Sequence, residues 1–227
     1  MPKSDVFNMD CNLGMKKYED NFFDIAVVDP PYFSGPEKRE YYGSNVSVTK
    51  VKRNNYGVTT EWTVPDTSYF EELIRVSKHQ IIWGCNYYEY LLGPGRIIWD
   101  KVNGESSFSD CEIAYTSFHD SVRKFTFMWN GMMQGKSALE GHIQQGNKKL
   151  NEKRIHPTQK PVMLYDWIFA TYAQAGQKIL DTHLGSGSSR ISAFKYDLDF
   201  VGFELDQEHF KRQEKRFKEY SAQGVLF

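Results

Sequence analysis

The chain has 227 residues, with 28 Lys and Arg against 29 Asp and Glu, a net charge of −1 and 15% aromatic side chains. Its length suits one sizeable α/β domain and is short for two, and the near-neutral charge argues against a nonspecific nucleic-acid coat protein. Cys11, Cys85 and Cys111 are odd in number and far apart, which disfavours a disulfide framework and a metal site; with no apolar run of membrane-spanning length, a cytoplasmic protein without a membrane partner is expected.

In chain order, the residue patterns predict strands at 6–9 and 24–28, a helix over 68–76, and strands at 80–83, 96–99, 112–118 and 124–129. A helix over 161–175 closed by Gly176 follows, then a strand at 178–180, a helix over 188–195, a strand at 200–203 and a helix over 207–220. Several strands are apolar throughout, as parallel strands covered on both faces are, whereas 112–118 and 124–129 read as an antiparallel hairpin. The expected fold is therefore a Rossmann-like α/β domain spanning 1–227 with a mixed, mostly parallel sheet. Two stretches, 33–64 and 130–155, lack periodicity and are longer than a compact domain tolerates unless they are functional or disordered. Between Arg123 and Arg154 there are seven basic residues (Arg123, Lys124, Lys136, Lys148, Lys149, Lys153, Arg154) against two acids, Glu140 and Glu152; Lys50, Lys52 and Arg53 form a second cluster. Either cluster alone reads as a solvated surface.

Residues 178–189 combine a short apolar strand, the turn Gly185-Ser186-Gly187 and a helix opened by Ser188 and Ser189. Glycines there let the backbone approach a ligand, and the helix start offers free N–H groups. Glu204, at the end of the next strand, can take both hydroxyls of a ribose. A nicotinamide dinucleotide is the competing ligand, but Arg190 stands where the third fingerprint glycine would be, so a pyrophosphate is poorly provided for. A nucleoside without phosphates fits better, and S-adenosylmethionine is one.

Asp29-Pro30-Pro31-Tyr32 follows an apolar strand and so stands at a carboxyl end, where open α/β sheets place ligands. The paired prolines fix the backbone and remove two N–H donors, leaving carbonyls free to accept. A rigid turn with an incidental acid would look the same, but the four residues together suit a specific chemistry. An aryl amine is a poor nucleophile because its lone pair is delocalised. Accepting its hydrogens at Asp29 and the Pro30 carbonyl draws the nitrogen toward tetrahedral geometry, Tyr32 offers a flat face to an unstacked base, and Asp29 or water can take the released proton.

The tetrapeptide, the 181–189 turn and His156-Pro157-Thr158-Gln159-Lys160-Pro161 together resemble the amino-methylating DNA methyltransferases. The order, with the catalytic motif ahead of the cofactor motif, is similar to their circularly permuted beta group, and the resemblance covers nearly the whole chain. It implies S-adenosylmethionine as cofactor, with Asp181, Gly185, Ser186, Gly187, Ser188 and Glu204 holding its methionine and ribose parts. By the same resemblance Thr158 and Lys160 lie near its carboxylate, Asp10 and Cys11 face its adenine, and Asp29 borders both cofactor and base. Residues 81–87 and Trp99-Asp100-Lys101 look like the family's strand ends beside the target base. Where the family has Pro-Phe after the strand Asp, this chain has Thr182-His183, and His183 is read as a substituted packing residue.

Asp in the first motif position is similar to the adenine-modifying members, so the implied reaction is N6-methylation of a flipped-out adenine in DNA. Methylation of cytosine N4, or a catalytically inactive DNA-binding protein of the same fold, are the alternatives. Segment 130–155 is expected to be a target-recognition insertion, its basic residues on phosphates and the amides of Gln134, Gln144, Gln145 and Asn147 on adenine edges; 33–64 is expected to be a mobile DNA-facing loop. The resemblance makes a homodimer plausible, and since no DNA-cleavage motif is present, a partner restriction endonuclease would be a separate protein.

Overall fold

The computed structural model describes residues 1–32, 62–104, 109–130 and 133–224. Most of the expected DNA-facing loop, 33–61 with Lys50, Lys52 and Arg53, lies outside the described residues.

The strands are β1 (Ser4–Asn8), β2 (Phe23–Val28), β3 (Ser77–Trp83), β4 (Arg96–Asp100), β5 (Cys111–Thr116), β6 (Val122–Thr126), β7 (Trp129–Asn130), β8 (Met133–Gln134), β9 (Lys178–Asp181) and β10 (Asp199–Glu204). The helices are α1 (Cys11–Met15), α2 (Thr67–Val76), α3 (Val162–Tyr172), α4 (Ser188–Lys195) and α5 (Gln207–Gly224). Eight strands form one sheet in the order β1-β10-β9-β2-β3-β5-β4-β6. From β1 to β3 all neighbours are parallel; β5 runs antiparallel to β3 and to β4, and β6 is parallel to β4. The mixed, mostly parallel sheet is thus as expected.

Strand alternation explains the layering. On β2, Ile25 and Val27 face one core together with Ile81, Trp83, Ile97 and Trp99, closed by Leu164, Ile168 and Phe169 of α3. Ala26 and Val28 face the opposite core with Ile82 and Leu180, closed by Tyr69, Phe70, Leu73 and Val76 of α2. The Asp66 carboxylate starts α2 by accepting the Tyr69 N–H, and its apolar residues then recur at helical spacing. Helix α4 is tied down by Arg190. Its guanidinium donates to Ser4 Oγ at 2.8 Å and Gln213 Oε1 at 3.0 Å, pairs with Glu214 and covers the Phe217 ring. The residue that replaces a fingerprint glycine therefore serves packing.

Two expectations are corrected. Segments 112–118 and 124–129 do not pair with each other, because both edges of β5 are taken by β3 and β4, which leaves β6 the outer edge of β4. The antiparallel hairpin lies one step further on, between β7 and β8. Helix α3 ends at Tyr172, before the expected 175; Ala173 is extended, and the following turn is pinned by the Gly176 N–H on the Asp197 carbonyl. No helix among the described residues is long and apolar enough to cross a membrane.

Candidate active site

The parallel register sets the site. Ile25 pairs with Ile179 and Ala26 with Leu180, so β2 and β9 run out at the same level and bring Asp29 and Asp181 to the same end of the sheet. β10 adds Glu204 one strand further on, and β1, paired Asn8 to Glu204, delivers Asp10 and Cys11 to that edge. The expected cofactor and catalytic motifs thus meet at the carboxyl ends of the strands, where an open α/β sheet offers its crevice.

On the β9 side, Asp181 accepts from Ser189 Oγ at 2.5 Å and from the His183 N–H at 3.0 Å. Glu204 accepts from the Gly185 N–H at 2.8 Å through one oxygen and from the Asp206 N–H at 2.9 Å through the other. Gly185 and Gly187 have φ of 50° and 71°, which L side chains adopt only at a cost. Burial raises both acids, Glu204 to about 7 and Asp181 to about 6, against the backbone and hydroxyl donors that stabilise their charged forms. Burial likewise pushes the Cys11 thiol up to about 12, with Asp10 and then Glu204 adding to it. The Asp10 carboxylate caps α1 by accepting from the Asn12 and Leu13 N–H groups. Ser186 and Ser188 share a hydroxyl contact at 3.0 Å, and Thr158 is exposed beside His156 at 3.3 Å. His183, held near 4 by burial, packs edge-on to Tyr69, whose hydroxyl meets Thr182 at 2.6 Å. That geometry agrees with its reading as a packing residue.

On the β2 side, the Tyr32 hydroxyl donates to Asp29 Oδ1 at 2.6 Å, and the Tyr88 hydroxyl donates to the Pro30 carbonyl at 2.8 Å. Tyr32 stacks on Tyr87, with ring centroids 4.9 Å apart and planes 9° off parallel. Lys160, expected near a cofactor carboxylate, sends its ammonium to Asp29 Oδ2 at 2.5 Å and Glu112 Oε2 at 2.8 Å, and donates to the Tyr32 oxygen at 3.0 Å. Lys101 pairs with the other Glu112 oxygen. Burial opposes the Glu112 charge, but Lys160 and Lys101 outweigh it and hold the carboxyl at about 2. Burial wins at Asp29, where Lys160 lowers and Glu112 raises, so its carboxyl stays above the usual range. The Lys160 ammonium, also desolvated, is held up by the two carboxylates.

One carboxylate joins the 130–155 segment to the glycine turn. Glu152 accepts from Arg216 at 2.6 Å, Gln159 Nε2 at 2.7 Å, the Val162 N–H at 2.8 Å and Ser188 Oγ at 3.4 Å, while Arg216 also donates to the Ser186 carbonyl at 2.8 Å. Gln134, expected to read bases, is buried and spends its amide on the Glu152 backbone in two reciprocal 2.8 Å bonds. Gln145 and Asn147 accept local backbone N–H groups, and Gln144 is exposed. Trp62 stacks on His156, whose ring lies 3.5 Å from where a Gly185 Cβ would be.

Residues 99–215 match a family model described as DNA methylase, of N6 and N4 amino-methyltransferases. The chain belongs to that family. The methylase is 24% identical over 250 residues to the type II methyltransferase M2.MboI of Moraxella bovis, covering 94% of this chain and 87% of the relative. Its fold is similar to that of an M1.HpyAVI–SAM complex (TM-score 0.57, 18% identity, 93% and 98% of the two chains covered). It is also similar to that of the PvuII cytosine-N4-specific DNA methyltransferase (TM-score 0.56, 10% identity, 97% and 92% covered).

Glu112, Lys101 and Tyr88 complete this site around residues that the sequence singled out. Trp99-Asp100-Lys101 was flagged by resemblance, whereas Glu112 was hidden in a strand assigned to a hairpin, its only signal an acid at the head of an apolar run. Gly84 makes room for Tyr32: at φ 70°, a Cβ there would fall 2.0 Å from the Tyr32 ring. Gly104 has a similar φ of 60°, with nothing among the described residues within 4 Å of a Cβ there. In urea denaturation Gly104→Ala should cost about 1–2 kcal/mol of backbone strain, and Gly84→Ala the same strain together with the displacement of Tyr32. Only Gly84→Ala should also lower methyl transfer, by at least about tenfold, a loss of roughly 1.4 kcal/mol of transition-state stabilisation. Equal activity of the two variants would show that the seating of Tyr32 against Gly84 is immaterial.

Proposed function

We propose that this methylase transfers a methyl group from S-adenosylmethionine to the N6 amino group of a flipped-out adenine in DNA, with Asp29, Pro30, Pro31 and Tyr32 at the reacting amine. The observation that carries the reading is the abutment of two half-sites on neighbouring strands. Asp29, just past the end of β2, keeps 17% of its side chain exposed, and the adjacent β9 ends on Asp181 and leads into the Gly185 turn.

The residues fit the cofactor. Each Glu204 oxygen is oriented by one backbone N–H, leaving its remaining lone pairs for a ribose diol, and the left-handed Gly185 permits close backbone approach. Asp181 and Asp29 give a cationic ligand a negative surround in a desolvated place, which strengthens the attraction. On that assignment Asp181, Gly185, Ser186, Gly187, Ser188 and Glu204 hold the methionine and ribose ends. Asp10 and Cys11 border the adenine, and Thr158 lies at the rim.

When bound, S-adenosylmethionine supplies a methyl carbon on a sulfonium, a leaving group that keeps the bonding electron pair. The chain's own residues prepare the amine. The Asp29 carboxylate and the Pro30 carbonyl accept its two N–H bonds, which localises the nitrogen lone pair, and Tyr32 supports the base through its ring face. Asp29, raised by burial, accepts the proton that the nitrogen sheds as the new N–C bond forms. Adenine is preferred over cytosine on the Asp in the first motif position. The 130–155 segment, in which Gln144, Lys148 and Lys149 are exposed, supplies target contacts.

Modification-sensitive sequencing of DNA from cells expressing the chain or Asp29→Ala tests this reading. Modified adenine in a short recurring sequence is expected with the parent, and a signal lower by about 10²-fold or more with the variant. Methylated cytosine would transfer the assignment to N4, and unmodified DNA from both would contradict it.

Glu204 adds a pH test. Ribose hydroxyls donate to the ionised acid, so the bound form has the lower pKa, and affinity is lost as pH falls through the free value near 7. Calorimetric titration should show S-adenosylmethionine binding about tenfold more weakly at pH 6 than at pH 8. Binding independent of pH over that range would remove Glu204 from the ribose.

A further inference from the structure

Every acceptor assigned to the target amine already has an internal donor. Lys160 and Tyr32 donate to the two Asp29 oxygens, and Tyr88 donates to the Pro30 carbonyl. The tyrosines are neutral donors that can share an acceptor with a second hydrogen bond. Lys160 is different, because an ammonium on the carboxylate draws away the electron density that must polarise the amine and accept its proton. Its charge cannot leave: the side chain is 4% exposed, it is held between the Trp83 and Tyr32 rings with its ammonium 5.5 and 5.4 Å from their centroids, and an unpaired buried ammonium is costly.

Glu112 resolves the conflict. Its Oε2 lies 2.8 Å from the Lys160 nitrogen, against 2.5 Å for Asp29 Oδ2, so the ammonium is shared and can move between the two carboxylates with a displacement smaller than a rotamer change. Lys101 holds the far Glu112 oxygen and fixes the group. Tyr32 links both acids, 2.6 Å from Asp29 and 3.3 Å from Glu112. We propose that Glu112 is a positioning residue of the methyl transfer: it takes the Lys160 ammonium when the target amine engages Asp29, and so keeps Asp29 free to accept. This rests on the function proposed above, and Glu112 itself touches neither base nor cofactor in the scheme.

The groups facing Asp29 are Lys160, Tyr32 and, through them, Glu112 and Lys101, with Asp181 on the neighbouring strand and Tyr69, Tyr88 and Tyr165 close enough to feel its charge. In Glu112→Gln the lysine loses its second anion and settles on Asp29, and the like charge that opposed Asp29 ionisation is gone. Both effects move Asp29 titration to lower pH.

The test compares the parent, Glu112→Gln and Glu112→Asp as full chains. In Glu112→Gln, kcat on duplex DNA should fall at least about tenfold with the acid limb of its pH profile moved to lower pH, while S-adenosylmethionine affinity stays within about twofold. Glu112→Asp, which keeps the charge, should recover most of the rate. In a Lys160→Met background, Glu112→Gln should cost no more than about twofold in kcat, since the loss of rate runs through the lysine and the direct loss of a like charge only eases Asp29 ionisation. An unmoved acid limb, no recovery with Asp, or additive losses in the double variant would each overturn the proposal. Carbon-13 carboxyl titration of Asp29 without cofactor supplies a readout independent of turnover. A shift to lower pH in Glu112→Gln supports the proposal and an unchanged titration overturns it, whereas an inactive parent would count against the function proposed above.

Discussion

The site depends on the adjacency of β2 and β9. Neighbouring strands stand about 4.8 Å apart, and here β9 ends on Asp181 while Asp29 directly follows β2, so two desolvated aspartates stand at the same end of adjacent strands. Like charges gathered at one end of a sheet repel, and the Asp29 charge is among the causes that hold the Asp181 carboxyl up. The fold places Lys160 against one of the pair and gives the other a hydroxyl and a backbone N–H. What remains is a strip of incompletely neutralised acid at one end of the sheet, which suits a cationic cofactor.

The surrounding structure fixes that strip. Short loops seat the acids: α1 is capped by Asp10, and Glu204 is held through the glycine turn and the Asp206 N–H. Behind the turn, the Glu152 and Arg216 pair links four separate parts of the chain: the segment after β8, the start of α3, the start of α4 and α5. Removing one partner of such a partly buried pair would leave the other charge stranded, so these residues serve rigidity. The same network removes Gln134 from the set of exposed amides available to read a base.

Much of this was legible in the sequence because its signals are local. An apolar strand followed by Asp29-Pro30-Pro31-Tyr32, and another followed by a glycine turn, announce strand ends by composition alone, and Glu204 follows from the same β-α-β unit. Segment 24–28 differs from the observed β2 by one residue, and 188–195 coincides with α4. Strand order was not legible. A short polar link between 112–118 and 124–129 suggests a hairpin, but β4 inserts between them because its Ile97 and Trp99 complete the core that Phe125 and Phe127 line. That preference belongs to the assembled sheet and leaves no mark on either segment. Glu112 escaped notice for the same reason: its importance comes from meeting Lys160, which lies 48 positions away in the chain. The five-residue α1, too short to show a helical period, was missed as well.

The central claim is that the β9 turn and the Asp29 tetrapeptide form one continuous site. A crystal structure of the chain with S-adenosylhomocysteine tests it most directly. The ribose should lie on Glu204, and the sulfur should face the gap between Asp181 and Asp29, with the Asp29 carboxylate open to the same cleft. Density for the nucleoside away from the Gly185 turn, or a cleft closed off from Asp29 by protein, would contradict the account.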